Sequence, residues 1–94
     1  MRLFESKDKS GRIIYLTKER WSHINKEHPE VSSYFSNFEE ILSNPTKIVD
    51  HPYDENIKYY YKYFKERKSY LLMIVKYLNG EGFVITSYFT RNIQ

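Results

Sequence analysis

The sequence predicts an α+β domain: a short N-terminal strand and two helices, followed by a roughly four-stranded antiparallel meander sheet. Three observations predict it. Helical spacing of apolar residues is confined to the first half, between about Lys18 and Leu42. After Thr46 the chain turns to β-branched and aromatic runs of strand length. Short turn signals separate those runs, the strongest being Asn79-Gly80, so the strands pair as hairpins.

In chain order, "SKDKSGR" reads as a polar turn and Ile13–Leu16 as the first short strand. Thr17 is placed to cap a helix from Lys18 to about Glu27, with Glu19 in its first turn where the dipole favours an acid. Pro29 keeps His28 out of the α region and ends the helix there. Tyr34, Phe38, Ile41 and Leu42 form the apolar stripe of a second helix, from about Ser33 to Leu42. Thr46–His51 reads as a strand. Ile57–Phe64 alternates Lys58, Tyr60, Lys62 and Phe64 with Tyr59, Tyr61 and Tyr63. Tyr70–Leu78 is nearly all apolar, as a strand covered on both faces should be. Phe83–Thr90 returns as the last strand. A two-residue loop at Asn79-Gly80 predicts that Thr86 and Tyr88 share a face with Met73, Val75 and Tyr77, and Lys76 one with Phe83, Ile85 and Ser87. A three-residue loop exchanges these sets.

Ninety-four residues make one domain, residues 1–94, with a core limited by its size. Aromatic residues make up 18% of the chain, ten of them tyrosines, which supply large rings to pack and polar tips for partly exposed faces. Without cysteine there are neither disulfides nor thiolate metal sites, as suits a reducing compartment. No run is apolar for long enough to span a membrane, and the N-terminus lacks a signal-peptide core, so a cytoplasmic protein is expected. Residues 28–57 carry six acids against Lys47, whereas residues 58–76 carry six bases against Glu66. A basic, tyrosine-rich segment suits a polyanion, although a solvated lysine face reads the same way.

The stretch "ERWSHINKEHPE" (Glu19 to Glu30) holds two of the three histidines. His23 and His28 lie five apart, about 140° around an ideal helix, so they do not form the i, i+4 pair of a zinc helix. No metal and no other cofactor is expected. Trp21 and Ile24 share the buried face. His23 points away from it, and either histidine could simply be a solvated polar residue. The alternative is chemistry: imidazole titrates near neutrality, and RNA brings its own 2′-OH nucleophile. A protein cleaving RNA need only move protons and stabilise a charged phosphorane. His51, beside Asp50 and Asp54, reads first as a turn residue.

Four segments also resemble a known family in their order and spacing. They are Leu16-Thr17, Trp21-Ser22-His23-Ile24, His28-Pro29-Glu30 and Ile85-Thr86-Ser87-Tyr88, which together draw in residues 12 to 90. The pattern resembles phage-associated nucleases of the Barnase–EndoU–colicin–RelE (BECR) group. The resemblance implies helices preceding a four-stranded antiparallel sheet, and metal-independent RNA cleavage, often by a toxin in bacterial, archaeal or phage conflict systems. On that reading His28, then His23, are the acid–base candidates, and Thr86 orients phosphate. Lys62, Lys76 and Arg91 stabilise negative charge, while Tyr61 and Tyr88 position bases. The expected partners are single-stranded or loop RNA and a neutralising antitoxin or immunity protein. The competing expectation is a non-catalytic RNA-binding or protein-interaction module on the same fold.

Overall fold

Six strands, four of them formed after residue 46, make one sheet, and a helical layer covers one of its faces. The computed structural model describes residues 1–93. Its elements are β1 (Arg2–Lys7), β2 (Ile13–Thr17), α1 (Lys18–Glu27), a 3-10 segment (Pro29–Asn37), α2 (Phe38–Ser43), β3 (Lys47–Asp50), β4 (Ile57–Phe64), β5 (Ser69–Leu78) and β6 (Glu81–Thr90). The sheet order is β1-β2-β6-β5-β4-β3. Every neighbouring pair is antiparallel except β2 and β6, which run parallel.

The sheet is therefore larger than the four-stranded antiparallel meander expected, and it is mixed. β1 escapes a search for alternation because polar residues surround its one inward aromatic, Phe4, which packs edge-on to Phe35 and Phe38. The helical layer carries the chain across the sheet to β3 at the far edge, and the β3–β4–β5–β6 hairpins return it so that β6 lies beside β2. Gly82 makes that pairing close. A Cβ there would sit 2.9 Å from Ile14 Cδ1 and 3.1 Å from the Lys76 carbonyl oxygen.

Helix α1 begins and ends as its sequence dictates. Thr17 Oγ1 accepts from the Arg20 amide at 3.1 Å, and the helix stops at His28 before Pro29. The expected helix over Ser33–Leu42 is instead a 3-10 segment followed by the six-residue α2. At the start of the 3-10 segment the Ser32 hydroxyl donates back to the Pro29 carbonyl at 2.9 Å. The apolar side of this layer (Ile24, Val31, Phe38, Ile41 and Leu42) is fully buried against Ile14, Leu16, Leu71, Met73, Val75 and Val84 of the sheet.

At one end of this core lies a buried carboxylate. Asp8 is 6% exposed. Its Oδ1 accepts from the Ser10 amide (2.9 Å), the Ser10 hydroxyl (2.6 Å) and the Arg12 amide (3.0 Å). Its Oδ2 accepts from the Tyr77 hydroxyl at 2.7 Å, and that hydroxyl also bonds to Tyr60's. The β1–β2 turn is thereby tied to β4 and β5.

The β5–β6 hairpin sets the two faces of the sheet. Its loop has two residues, Asn79 and Gly80, with φ of 48° and 85°, closed by Leu78 opposite Glu81. Lys76 then opposes Phe83 and Val75 opposes Val84, but Ile74 opposes Thr86. Ile85 is an extra residue, a bulge that reverses the alternation beyond it. This overturns the expectation that Thr86 and Tyr88 share a face with Met73, Val75 and Tyr77. They lie with Ile74, Leu72 and Lys76 on the opposite face, while Ser87 turns toward the core. The loop length follows from the sequence. The bulge does not.

Candidate functional site

The helix-free face is paved with tyrosine. Alternation from the paired registers puts Tyr59, Tyr61 and Tyr63 of β4, Tyr70 of β5, Tyr88 of β6 and Tyr15 of β2 on it, six of the chain's ten. Across the strands run a row of Lys47, Tyr61, Leu72 and Tyr88, and beside it a row of Val49, Tyr59, Ile74 and Thr86. Tyr61 and Leu72 are 1% and 3% exposed, although both lie outside the helix-side core. The rings thus form a packed second layer. Tyr70 meets Tyr61 and Tyr63 edge-on at 6.1 and 5.2 Å between centroids.

His28 joins this surface from its flank. Helix α1 packs along β6, and His28, the residue that caps its C-terminus, sets its imidazole 5.2 Å from the Tyr88 ring, tilted by 34°. Burial, then the nearby Tyr61 and Tyr59 hydroxyls, push the Tyr88 phenol above its ordinary pKa. At neutral pH it is protonated and donates hydrogen bonds. One helical turn before His28, the Asn25 Oδ1 is buried and has no hydrogen-bond partner. His51 faces the same sheet surface from its far side, 5.9 Å from Tyr59 and perpendicular to it. Its Nδ1 accepts from the Tyr53 and Asp54 amides at 3.1 and 3.0 Å, so His51 holds a turn, as its sequence context suggests.

The candidate residues divide between surfaces. His28, Thr86, Tyr88, Tyr61 and Lys76 lie on or beside the helix-free face. Lys76 also pairs with Asp54 at 3.7 Å. His23 stands on the solvent side of α1, its Nε2 3.3 Å from Glu27. Lys62 lies on the helix-covered face, where its ammonium donates to the Asn44 carbonyl at the end of α2, at 2.9 Å. Arg91 lines a separate open cleft with Arg67, Ser69, Phe89 and Thr90. The run of bases in residues 58–76 is therefore not one patch, and Lys58 is taken up by Asp50 at 2.6 Å. Lys47, Tyr59 and Asn25 were not singled out by sequence. Lys47 was legible only as a lone base in an acidic stretch.

Among the described residues no three histidine, aspartate or glutamate side chains come together in a way that could hold a metal ion. Among those residues, too, no helix is long and apolar enough to cross a membrane.

A small α+β domain with one covered sheet face and one aromatic, histidine-flanked face is suited to receive a nucleic-acid strand. The chain belongs to a nuclease family: residues 3–94 match the one described as phage-Barnase-EndoU-ColicinE5/D-RelE like nuclease 2 (PBECR2). Neither a curated protein nor a solved structure matches it.

Proposed function

We propose that the protein is a metal-independent endoribonuclease whose working surface is the tyrosine-paved face beside His28. The juxtaposition of His28 with Tyr88, on the face that also carries Thr86 and Lys76, supports this reading in a chain of a nuclease family. The His28 imidazole accepts the proton of a ribose 2′-OH, and the 2′-oxygen forms a bond to phosphorus. The protonated imidazole then gives that proton to the 5′-oxygen as the P–O5′ bond breaks. The products are a 2′,3′-cyclic phosphate and a 5′-hydroxyl. Tyr88 and Thr86 donate hydrogen bonds to the non-bridging oxygens, and the Lys76 ammonium balances their charge. Tyr61 is buried beneath this surface, and the more open Tyr59 and Tyr63 rings beside it support unstacked bases. A toxin-like, phage-associated effector of this kind would act in the cytoplasm and be held in check by a partner covering this face.

End-chemistry tests the reading. Labelled RNA incubated with the protein in excess chelator should yield fragments with 2′,3′-cyclic phosphate and 5′-hydroxyl ends. The same RNA carrying 2′-deoxyribose at the cut position should stay intact. Cleavage that chelator abolishes, or that leaves 5′-phosphates, would overturn the mechanism.

A further inference from the structure

The helix-free face continues past Thr86 to a cleft that the catalytic reading does not use. Tyr15, Thr17, Arg20, Phe83 and Val84 line an open hollow of about 230 Å³ between the start of α1 and the β2–β6 pair. Its size is below the roughly 300–1,000 Å³ of drug-sized sites. One wall is fixed. The Arg2 guanidinium lies 3.7 Å above the Tyr15 ring, held there by Glu81 at 2.8 and 3.1 Å, so one side of Tyr15 is already occupied. The Phe83 ring, 6.0 Å from Tyr15 and only half-buried, is the platform left open. Arg20 lines the same hollow, exposed and, among the described residues, without a carboxylate partner. Arg2 and Arg12, by contrast, pair with Glu81 and Asp8. An aromatic platform beside a free guanidinium is the donor set for a nucleobase and its phosphate.

We infer that this cleft is a nucleotide subsite: Phe83 stacks a base and Arg20 pairs with a phosphate of an RNA strand lying across the helix-free face. The inference rests on the reading of that face as the RNA-binding surface. From Phe83 to Tyr88 β6 advances by four ladder positions besides the bulge, about 13 Å at ~3.3 Å per residue. That distance spans up to about four nucleotides at a stacked rise of ~3.4 Å, and fewer in an extended strand. The subsite therefore holds a flanking nucleotide, and only substrates long enough to reach it gain from it.

The probe is a fluorescent all-2′-deoxy hexanucleotide, which cannot be cleaved by transesterification, with a dinucleotide beside it. Binding is measured over a range of salt for the intact protein, Arg20→Ala, Phe83→Ala and Phe83→Leu. Arg20 is exposed, so its substitution leaves the fold intact. Phe83→Leu keeps most of the packing should Phe83→Ala unfold. Arg20→Ala should weaken hexanucleotide binding several-fold and reduce the slope of log K against log salt by about 0.7. Either Phe83 variant should weaken it by roughly 10-fold, with the dinucleotide unaffected. Wild-type hexanucleotide affinity and slope in Arg20→Ala would overturn the subsite, as would a wild-type protein that does not bind the hexanucleotide. Cleavage of the matching RNA separates this from the catalytic reading. A chain that cleaves, with Arg20→Ala identical to wild type, loses the subsite alone. A chain that never cleaves, yet binds the probe through Arg20, loses the catalytic reading alone.

Discussion

Replacing Asp8 tests whether the buried carboxylate fastens the β1–β2 hairpin to the rest of the sheet. Asp8→Ala removes the acceptor for the Tyr77 hydroxyl, the Ser10 hydroxyl and the Ser10 and Arg12 amides. A hydrogen bond to a charged group contributes about 1.5–3 kcal/mol, so four would suggest a large loss. The turn amides, however, lie near solvent and regain water, and the Tyr77 hydroxyl keeps its bond to Tyr60. A net loss of about 3 kcal/mol remains, a large share of the roughly 5–14 kcal/mol expected for a domain this size. The corresponding fall in Tm is roughly 12–24 °C. Asp8→Asn retains the Oδ1 bonds and should lose only about 1 kcal/mol. Burial alone would raise the Asp8 carboxyl, but hydrogen bonds from Ser10, Tyr77 and the Arg12 amide outweigh it and hold the pKa below the usual carboxylate range. A depressed pKa means stabilisation that is complete above about pH 4–5 and is lost as pH falls through the folded-state value. The gap between wild type and Asp8→Asn should therefore narrow on acidification. Urea unfolding followed by circular dichroism, near pH 7 and near pH 3, reads both effects. A loss under about 1 kcal/mol in Asp8→Ala at neutral pH would refute the reasoning, as would a pH-independent gap for Asp8→Asn.

Other substitutions probe the sheet and its two faces. Gly82→Ala places a Cβ against Ile14, the Lys76 carbonyl and the Tyr77 ring, and should lower stability by about 1–3 kcal/mol in thermal unfolding. Lys62→Ala should leave RNA affinity unchanged and cost under about 1 kcal/mol of stability, because its ammonium serves the end of α2. Lys76→Ala, on the helix-free face, should instead weaken binding and flatten its salt dependence by about 0.7 in log–log slope, as a filter-binding titration would read.

Much of the architecture was written locally. Thr17 and Pro29 delimit α1, and Asn79-Gly80 makes the hairpin, because caps, prolines and positive-φ turns act over a few residues. What required the folded chain was long-range. β1 is held by one aromatic face and by Asp8 reaching residues far along the sequence, and the parallel β2–β6 contact depends on a glycine at the meeting point. For the candidate site the decisive feature is a single unpaired residue. The bulge at Ile85 places Thr86 and Tyr88 opposite Ile74 and Leu72, and nothing in "FVITSYFT" announces it, since β-branched and aromatic residues suit either face. The lysines misled for a related reason. Strand alternation sends Lys62 to the helix side and Lys76 to the other, so a basic run in sequence need not be a basic patch in space.

The central claim assigns proton transfer to His28 rather than to the solvent-facing His23, and one comparison tests it most directly. Cleavage rates of a defined RNA are measured in excess chelator for wild type, His28→Ala and His23→Ala, with circular dichroism confirming that each is folded. His28→Ala should lose about 10²–10⁴-fold in kcat while His23→Ala stays within about 2-fold of wild type. Equal activity in His28→Ala and wild type would contradict the assignment, and loss confined to His23→Ala would move the chemistry to the other side of the helix.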